Sequence, residues 1–385
     1  MTINDSTLIE TYFKLLSYIV LGIAGSSLLI QLIYYWAVFS HVSFFKSKKI
    51  VSENLILPPV SIVISARNEY LNLERNLPML FAQDYPDFEV VVVNDCSDDG
   101  SEEMLTNLAR KEPKLNLVHI RQSLNFFQGK KFPLSIGIKS AKNDILLLTD
   151  ADCAPLNNQW IQSMVASYKE KTELVIGYGP YRKKFGFLNL LIRFDTLHIG
   201  LQYLSYALSG VPYMGVGRNL SYHKSLFLRN KGFTSHYNIS SGDDDLFVAK
   251  VASKKNTRIV IHEDSRTISE PSKNFSAWIR QKRRHLSTGK YYSLGMKFRL
   301  GLYSLTQFTF YAACAGLYFL PVHFVFPTAM LGFRLINQYI IFGAASKRLG
   351  EKSIWLVTPF AELFFMFFNP VIAFTNIFSR QVRWK

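Results

Sequence analysis

The sequence has few charged residues, and acids are the scarcer kind. Charged residues make up 19% of the 385 residues, whereas an average soluble protein has about 25%. Hydrophobic residues reach 49% and aromatic residues 15%, which excludes a disordered chain. Lysine and arginine number 44 against 28 acids, and the net charge of +16 fits either a nucleic-acid partner or an anionic membrane surface. At about 150 residues per domain, this length predicts two or three units.

Several patterns that would indicate a particular chemistry are missing. The three cysteines, Cys96, Cys153 and Cys314, form neither a C-x-x-C pair nor a zinc pattern, so we expect reduced, small apolar residues. His262 and His285 have no histidine or cysteine partner at ligand spacing. The chain also has no G-x-G-x-x-G and no P-loop sequence, which argues against both kinds of nucleotide-binding fold. Phosphate groups would have to be held in another way.

Long apolar runs are what the sequence has in excess. Residues 15–45 contain no Asp, Glu, Lys or Arg, and about 20 apolar residues suffice to cross a bilayer. The run is too long for a signal-peptide core and lacks an evident cleavage site, so residues 1–45 are interpreted as a retained N-terminal transmembrane anchor. A second uncharged run, 300–333, has Pro321 and His323 near its middle and predicts a transmembrane hairpin over 301–345.

A third hydrophobic segment at 354–379 is interrupted by Glu362, Pro359 and Pro370. We expect either a crossing or a re-entrant or interfacial segment that is broken near Pro370. Arg334 and Glu362 would lie at similar depth in an antiparallel hairpin, where two intramembrane charges can neutralise each other. Structural pairing is favoured over a direct functional role.

Basic residues at the ends of the apolar runs predict the orientation. The first run is followed by Lys46, Lys48 and Lys49. The loop after the hairpin contains Lys347, Arg348 and Lys352. Both groups place the middle of the chain in the cytoplasm, in a protein integral to the cell membrane. The basic tail breaks this pattern if the last segment crosses completely; it contains Arg380, Arg383 and Lys385.

Residues 46–272 read as a soluble α/β domain. Predicted strands alternate with predicted helices, and the second strand is a continuous apolar run, as in buried parallel strands. The predicted strands are 59–65, 88–93, 115–120 and 144–148, and the predicted helices are 71–80, 101–112 and 132–140. Ligands of such sheets bind beyond the carboxyl ends of the strands.

Acidic residues are concentrated at those ends. The first strand runs into Ala66, Arg67 and Glu69, the second into Asp95, and the fourth into Asp150-Ala151-Asp152. Two carboxylates one residue apart repel each other unless a hard cation such as Mg²⁺ or Mn²⁺ lies between them and a diphosphate. Asp98 and Asp99 are interpreted as caps of the following helix. The loop 215–219 is equally compatible with an acceptor approaching the backbone and with an ordinary turn.

Further along the chain come Gly242-Asp243-Asp244-Asp245-Leu246 and Gln281-Lys282-Arg283-Arg284-His285. Taken in order with the acidic strand ends, these motifs resemble the membrane-bound family 2 glycosyltransferases, the group of the cellulose, chitin and hyaluronan synthases and ceramide glucosyltransferase. The resemblance covers about residues 52–300. It implies a GT-A fold, which is Rossmann-like with a mostly parallel sheet, flanked by transmembrane helices.

The resemblance implies a role for each matching residue. Ala66, Arg67, Glu69 and Asp95 would hold the base and ribose of a UDP- or GDP-linked sugar. Lys130, with Lys131 as its rival, would lie near the diphosphate. Asp150 would contact the nucleotide or donor sugar, and Asp152, together with Asp150, the metal.

The acid-base and Gln-x-x-Arg motifs depart from the family pattern. Aligning Leu246 places Asp243 at the family's catalytic base and Gly242 at its glutamate, which leaves Asp244 as the alternative base. Gln281 and Arg284 match the Gln-x-x-Arg-Trp motif, but His285 replaces the tryptophan. That replacement argues against a processive polymerase. An inverting transfer needs one carboxylate to accept the proton of the acceptor hydroxyl and a cation to stabilise the leaving diphosphate.

Residues 273–300 hold eight basic residues and no acid, which is half of the net charge. Interleaved aromatic residues, among them Trp278 and Tyr292, predict a basic amphipathic segment at anionic headgroups, with Gln281 and Arg284 turned toward the diphosphate. The charge thus indicates a membrane rather than a nucleic acid. The predicted function is transfer of a sugar to a lipid or growing glycan acceptor at the cytoplasmic face. A sugar-nucleotidyl transferase and an inactive membrane scaffold are the alternatives.

Overall fold

A computed structural model describes residues 5–46, 57–122, 129–239 and 241–378. Some residues used to predict the orientation lie outside this part of the chain, namely Lys48, Lys49, Arg380, Arg383 and Lys385. An α/β domain occupies the middle of the chain. The N-terminal and C-terminal parts of the chain form a bundle of long helices.

The α/β domain is built on a seven-stranded sheet with the order β3-β2-β1-β4-β7-β6-β8, and β5 pairs with β9 separately. Strands β3, β2, β1 and β4 are mutually parallel, whereas β7 runs antiparallel to both β4 and β6. The strands are β1 Val60–Ala66, β2 Phe88–Asp95, β3 Leu115–Ile120, β4 Ile145–Leu148, β5 Cys153–Pro155, β6 Leu174–Ile176, β7 Leu220–His223, β8 Thr257–Ile259 and β9 Thr267–Ser269. The predicted mostly parallel sheet is confirmed.

Every residue of β1 and β2 is buried, because helices cover both faces of this sheet. These helices are α3 Tyr70–Phe81, α4 Ser101–Ala109, α5 Lys131–Ser140, α6 Trp160–Val165, α7 Phe187–Leu208, α8 Lys224–Arg229, α9 Asp245–Val251 and α10 Phe275–Leu286. Alternate residues of β1 belong to two hydrophobic cores: Ile62 packs with α3, and Val63 packs with α5. At Gly137, a Cβ atom would lie 2.8 Å from Val63, so α5 approaches the sheet closely there.

The bundle consists of four helices. They are α1 Asp5–Ile33, which continues through a π-helical stretch Tyr34–Phe39 into α2 Ser40–Ser43, and α11 Leu294–Leu317, α12 Val325–Leu349 and α13 Thr358–Phe378. In the described part of the chain, three helical segments have the length and apolar composition needed to cross a membrane: Leu8–Ser43, Val325–Leu349 and Ile354–Asn376. Helices α1 and α11 lie antiparallel, as hydrogen bonds from Tyr34 to Arg299 and between Ser27 and Thr309 show.

The structure supports most of the sequence-based picture of the bundle and corrects one part of it. A turn containing Pro321 and His323 separates α11 from α12, where the bend was predicted. Of the two alternatives for the last segment, the structure does not show the break near Pro370, because α13 is helical on both sides of this proline. A proline removes one helical hydrogen bond, but helix neighbours allow prolines to remain within apolar helices. Here Phe365 and Phe368 of α13 pack against Trp278.

The predicted pairing of Arg334 and Glu362 is confirmed. The Arg334 Nη2 atom lies 3.0 Å from Glu362 Oε2, and both side chains are almost completely buried between the bundle helices. Tyr303 donates a hydrogen bond of 3.0 Å to the other carboxylate oxygen, and Gln31 accepts one from Arg334. The pair therefore has hydrogen-bond partners from α1 and α11, as two charges in an apolar surrounding require.

The loop between α12 and α13 joins the bundle to the α/β domain. Glu351 forms a buried ion pair with Arg193 of α7, and Arg266 donates a hydrogen bond of 2.7 Å to the Arg348 carbonyl. The basic loop that contains Lys347, Arg348 and Lys352 therefore lies on the same side of the bundle as the α/β domain. That placement agrees with the relative orientation expected from the sequence.

Candidate active site

The acidic strand end after β4 and the acidic loop before α9 meet in one cavity of about 540 Å³. Lys130 connects these two acidic segments, because its ammonium group is ion-paired with Asp150 and lies 3.4 Å from Asp243 Oδ2. Most of the site residues predicted from sequence line this cavity: Glu69, Lys130, Asp150, Asp152, Asp243, Asp244, Gln281 and Arg284. The structure therefore brings together four motifs that are far apart in the chain.

The two adjacent lysines occupy different environments. Lys130 lines the cavity, whereas the Lys131 ammonium donates hydrogen bonds of 2.7, 2.7 and 2.6 Å to the carbonyls of His236, Ile239 and Ser241. Lys131 thus holds the loop that leads into Asp243, and burial lowers its pKa to about 8. Of the two candidates, only Lys130 points at the acids.

The Asp150-Ala151-Asp152 turn offers ligands for a hard cation. Carboxylate oxygens of Asp150 and Asp152 and the Cys153 sulfur all lie within 4.8 Å of one another. Burial and the nearby Asp150 charge raise the pKa of Asp152. Burial opposes ionisation of Asp150 as well, but the attraction and hydrogen bond of Lys130 outweigh it and lower the pKa of Asp150.

Cys153 does not fit as a ligand of such a cation. Burial and the Asp152 charge raise the pKa of this thiol, and its sulfur is 2.9 Å from the Ser269 hydroxyl. The thiol therefore remains protonated, whereas Mg²⁺ and Mn²⁺ prefer oxygen ligands. The two carboxylates fit the cation that the sequence motif predicts, and Cys153 supports them through a hydrogen bond to Asp152.

The three consecutive aspartates before α9 have distinct contacts. Asp244 caps the helix: one of its oxygens accepts from the Asp245 N–H at 2.7 Å, and the other accepts from the Gly217 N–H at 2.7 Å. Burial and the charges of Asp243 and Asp245 raise the pKa of Asp244 to about 7. Among the described residues, Lys130 is the only ion-pair partner of the Asp243 carboxylate.

Asp245 connects this loop to the start of the C-terminal part of the bundle, a role that the sequence reasoning missed. Its Oδ2 atom accepts hydrogen bonds from the hydroxyls of Thr288 and Tyr292, the latter at 2.8 Å. Both partners lie between α10 and α11. Nothing in the spacing of residues 245 and 292 indicates this contact, because it depends on how α10 packs.

Helix α10 presents the Gln-x-x-Arg motif to the cavity. Gln281 donates to the Tyr181 hydroxyl at 2.8 Å and accepts from Ser272 at 3.0 Å, which fixes its orientation. Arg284 and His285 also line the cavity. Of the aromatic residues of this segment, Trp278 is buried inside the protein and Tyr292 is half-buried, whereas Tyr291 and Phe298 are exposed.

Three predicted nucleotide-binding residues lie beside the cavity and not in its lining. Ala66 is buried at the carboxyl end of β1, and the Arg67 guanidinium lies 3.9 Å from Asp95 at the end of β2. Burial raises the pKa of Asp95 although Arg67 opposes this effect. Their placement at neighbouring strand ends is the one expected from a parallel sheet.

Arg218 is a cavity residue that the sequence reasoning did not select. Its guanidinium carbon lies 4.4 Å from the centre of the Tyr181 ring, and its buried Nη1 atom has no hydrogen-bond partner among the described residues. The available signal was a basic residue directly after Gly215-Val216-Gly217, in a loop equally compatible with an ordinary turn. The structure places this positive charge in the same cavity as Asp150 and Asp152.

Comparison with known proteins agrees with this architecture. Hyaluronan synthase from Pasteurella multocida is 38% identical over 124 residues, 31% of this chain and 12% of that protein. Glycosyltransferase AglE from Haloferax volcanii is 30% identical over 113 residues, 29% of this chain and 36% of that protein. The chain thus spans less than half the length of these relatives.

A solved structure resembles nearly the whole fold. It is the mannosyltransferase PcManGT from Pyrobaculum calidifontis in complex with GDP-Man and Mn²⁺, with a TM-score of 0.57 at 18% identity over 90% of this chain and 99% of that one. In sequence, residues 61–227 match the Glycosyl transferase family 2 model. The resemblance inferred from the motifs is confirmed over residues 61–227, and the fold is GT-A-like.

Proposed function

We propose that the protein is an inverting glycosyltransferase that moves a sugar from a UDP- or GDP-linked donor to the hydroxyl of a lipid or glycan acceptor at the cytoplasmic membrane face. The observation that carries the proposal is the meeting of Asp150, Asp152, Asp243 and Arg284 in one cavity beside the bundle. Because PcManGT binds GDP-Man and Mn²⁺ and shares this fold, it supports a nucleotide-sugar donor and a divalent cation.

Donor binding would use two groups of residues, one around Asp150 and Asp152 and one at the ends of β1 and β2. Asp152 and Asp150 would hold Mg²⁺ or Mn²⁺, which when bound stabilises the negative charge of the leaving diphosphate. Arg284 would add positive charge from α10, while Gln281 is held in place by Tyr181. We assign the base and ribose to Glu69 and to the neighbouring Ala66, Arg67 and Asp95, which lie at the ends of β1 and β2.

Asp243 would act as the general base. Its carboxylate would take the proton of the acceptor hydroxyl while that oxygen bonds to the anomeric carbon. The bond from this carbon to the diphosphate breaks, and its electron pair leaves with the nucleoside diphosphate. Asp244 suits this role less well, because both of its carboxylate oxygens already accept backbone N–H groups.

The domain boundaries and the membrane face belong to the same proposal. The N-terminal helix, the hairpin and α13 would anchor the domain, and Lys46 and the loop around Lys347 would place it in the cytoplasm. The family 2 domain favours sugar transfer over the nucleotidyl transfer and inactive scaffold considered from sequence.

The test uses the full chain purified in detergent. Given UDP- and GDP-sugars, Mn²⁺ or Mg²⁺ and a membrane-lipid extract, the protein should release nucleoside diphosphate and label an acceptor; complete inertness would contradict the proposal. Asp243→Asn should reduce transfer by about 100-fold or more, because a positioned base contributes at least that much, and should still bind nucleotide. Asp87→Asn, which removes an exposed acid far from the motifs, serves as the control. If Asp244→Asn abolishes transfer and Asp243→Asn does not, the base is Asp244.

A further inference from the structure

The lining of the cavity also includes residues of α7 and α11, where apolar side chains lie beside the polar side chains of Asp195, Thr196 and Gln202. We call this part of the cavity the apolar arm and define it by Ile192, Ile199, Met214, Leu286 and Leu300, all of which line the cavity. The α7 residues recur at a helical spacing, so one face of this helix forms one wall. The opposite wall comes from the end of α10 and the first turns of α11.

Helix α7 lies against the ends of the bundle helices on the side of the α/β domain. The His198 ring is 5.8 Å from that of Tyr303 in α11 and 5.8 Å from that of Phe342 in α12, and Phe194 stacks on Phe342 at 6.4 Å. The wall that α7 contributes to the arm therefore lies next to the bundle.

The outer end of the arm has the side chains of a protein surface that contacts a membrane, namely exposed apolar residues and a basic residue. Leu294 and Phe298, in the first turns of α11, are 82% and 68% exposed. Lys297, which lines the cavity, lies between them, and a basic side chain at this depth suits anionic headgroups. Among the residues that the structure describes, one ion pair lies along these walls, between Lys282 and Asp195 at 2.7 Å, and its two charges neutralise each other.

Resting on the proposed function, we propose that the acceptor is a membrane lipid whose hydrocarbon chain occupies the apolar arm and whose hydroxyl meets Asp243. A hydrocarbon chain suits the apolar side chains of these walls, whereas a sugar chain there would exchange water for Thr196 and Gln202, because Asp195 and Lys282 already pair with each other. The lipid hydroxyl oxygen bonds to the anomeric carbon, its proton passes to Asp243, and the nucleoside diphosphate departs with the electron pair of the broken bond. The lipid reaches the site laterally from the bilayer.

Filling the arm tests this inference. Ile199→Trp is expected to reduce incorporation of labelled sugar into the organic phase at least tenfold, with the full chain in liposomes of total lipid from the expressing cells. Nucleoside diphosphate binding should stay within twofold of the wild type, because the donor end of the cavity is unchanged. Leu305→Trp adds the same ring at a 60% exposed position of α11 that does not line the cavity, and should transfer as the wild type does.

The outcomes separate this inference from the proposed function. A wild-type protein that turns over no donor contradicts the proposed function. Donor turnover with the label in water-soluble glycan, or normal lipid labelling by Ile199→Trp, overturns the lipid acceptor alone. If Ile199→Trp also loses nucleotide binding, Leu300→Trp on the opposite wall replaces it in the same comparison, since this half-buried position tolerates a larger side chain.

Discussion

Asp244 caps a helix with a carboxylate whose ionisation is disfavoured by its surroundings. Its oxygens accept the N–H groups of Gly217 and Asp245, while burial and the two neighbouring aspartates raise its pKa to about 7. Because this pKa is higher in the folded protein than in the unfolded chain, the folded state binds the proton more tightly. This tighter proton binding stabilises the folded state. The stabilisation is complete below the pKa of an aspartate in the unfolded chain, about 3.9, and is lost as the pH rises through 7.

Asp244→Asn should therefore flatten the pH dependence of stability. We expect the wild-type melting temperature to fall more between pH 5 and pH 8 than that of the variant, measured in detergent with EDTA and without nucleotide. The asparagine keeps one acceptor for the cap, so the variant should fold. Equal slopes for the two proteins would mean that Asp244 is ionised throughout this range. Asp98→Asn, at an exposed acid, provides the reference slope.

At the scale of single elements, α5 is fixed by its closest contact with the sheet. A Cβ atom on Gly137 would lie 2.8 Å from Val63 and 2.9 Å from Val93, both in the middle of buried strands. Gly137→Ala should lower the free energy of unfolding by about 1–3 kcal/mol, the usual effect of overpacking a core. Gly316→Ala in α11, where a Cβ atom meets nothing within 4 Å, should be neutral or slightly stabilising, as followed by thermal unfolding in detergent. Equal melting temperatures for Gly137→Ala and wild type would show that the sheet yields there.

Elements with a strong local pattern could be predicted from the sequence. β3 has the predicted bounds, and β1, β2 and β4 deviate by a residue or two, because their apolar runs require burial on both faces. Pro370 shows the limit of local rules, since packing of α13 against Trp278 keeps the helix intact. Residues defined by the chemistry of a motif, such as Asp152 and Gln281, could be selected from the sequence and line the cavity, whereas Arg218 and Asp245 depend on distant partners that no spacing indicates.

For the whole molecule, the position of α13 bears on the topology. A helix of 21 residues is about 30 Å long and could cross a bilayer. Its end, however, returns to the α/β side: Asn376 donates a hydrogen bond of 3.0 Å to the Arg283 carbonyl of α10, the helix that lines the cavity. Its beginning follows Glu351, which is bound to Arg193. We therefore expect α13 to lie along α10 at the interface, with the basic tail on the side of the α/β domain.

Cysteine labelling in sealed vesicles checks this topology. In a Cys96→Ala background, Ser379→Cys should react with a membrane-impermeant maleimide under the same conditions as Lys183→Cys, an exposed position of the α/β domain. Phe319→Cys, which replaces an 88% exposed residue in the turn between α11 and α12, should react only from the other side. Ser379→Cys reacting together with Phe319→Cys would indicate a full crossing instead.

The hydrogen bonds of Asp245 to Thr288 and Tyr292 have a consequence for biosynthesis. The α/β domain emerges from the ribosome before α11 is made, so at that moment the buried Asp245 lacks both hydroxyl partners. We therefore expect the loop that carries Asp243 to take its final arrangement only after the segment between α10 and α11 has docked against it. On the proposed function, a nascent or truncated chain that ends before Thr288 would be unable to transfer sugar, because the loop of its proposed base would lack these partners.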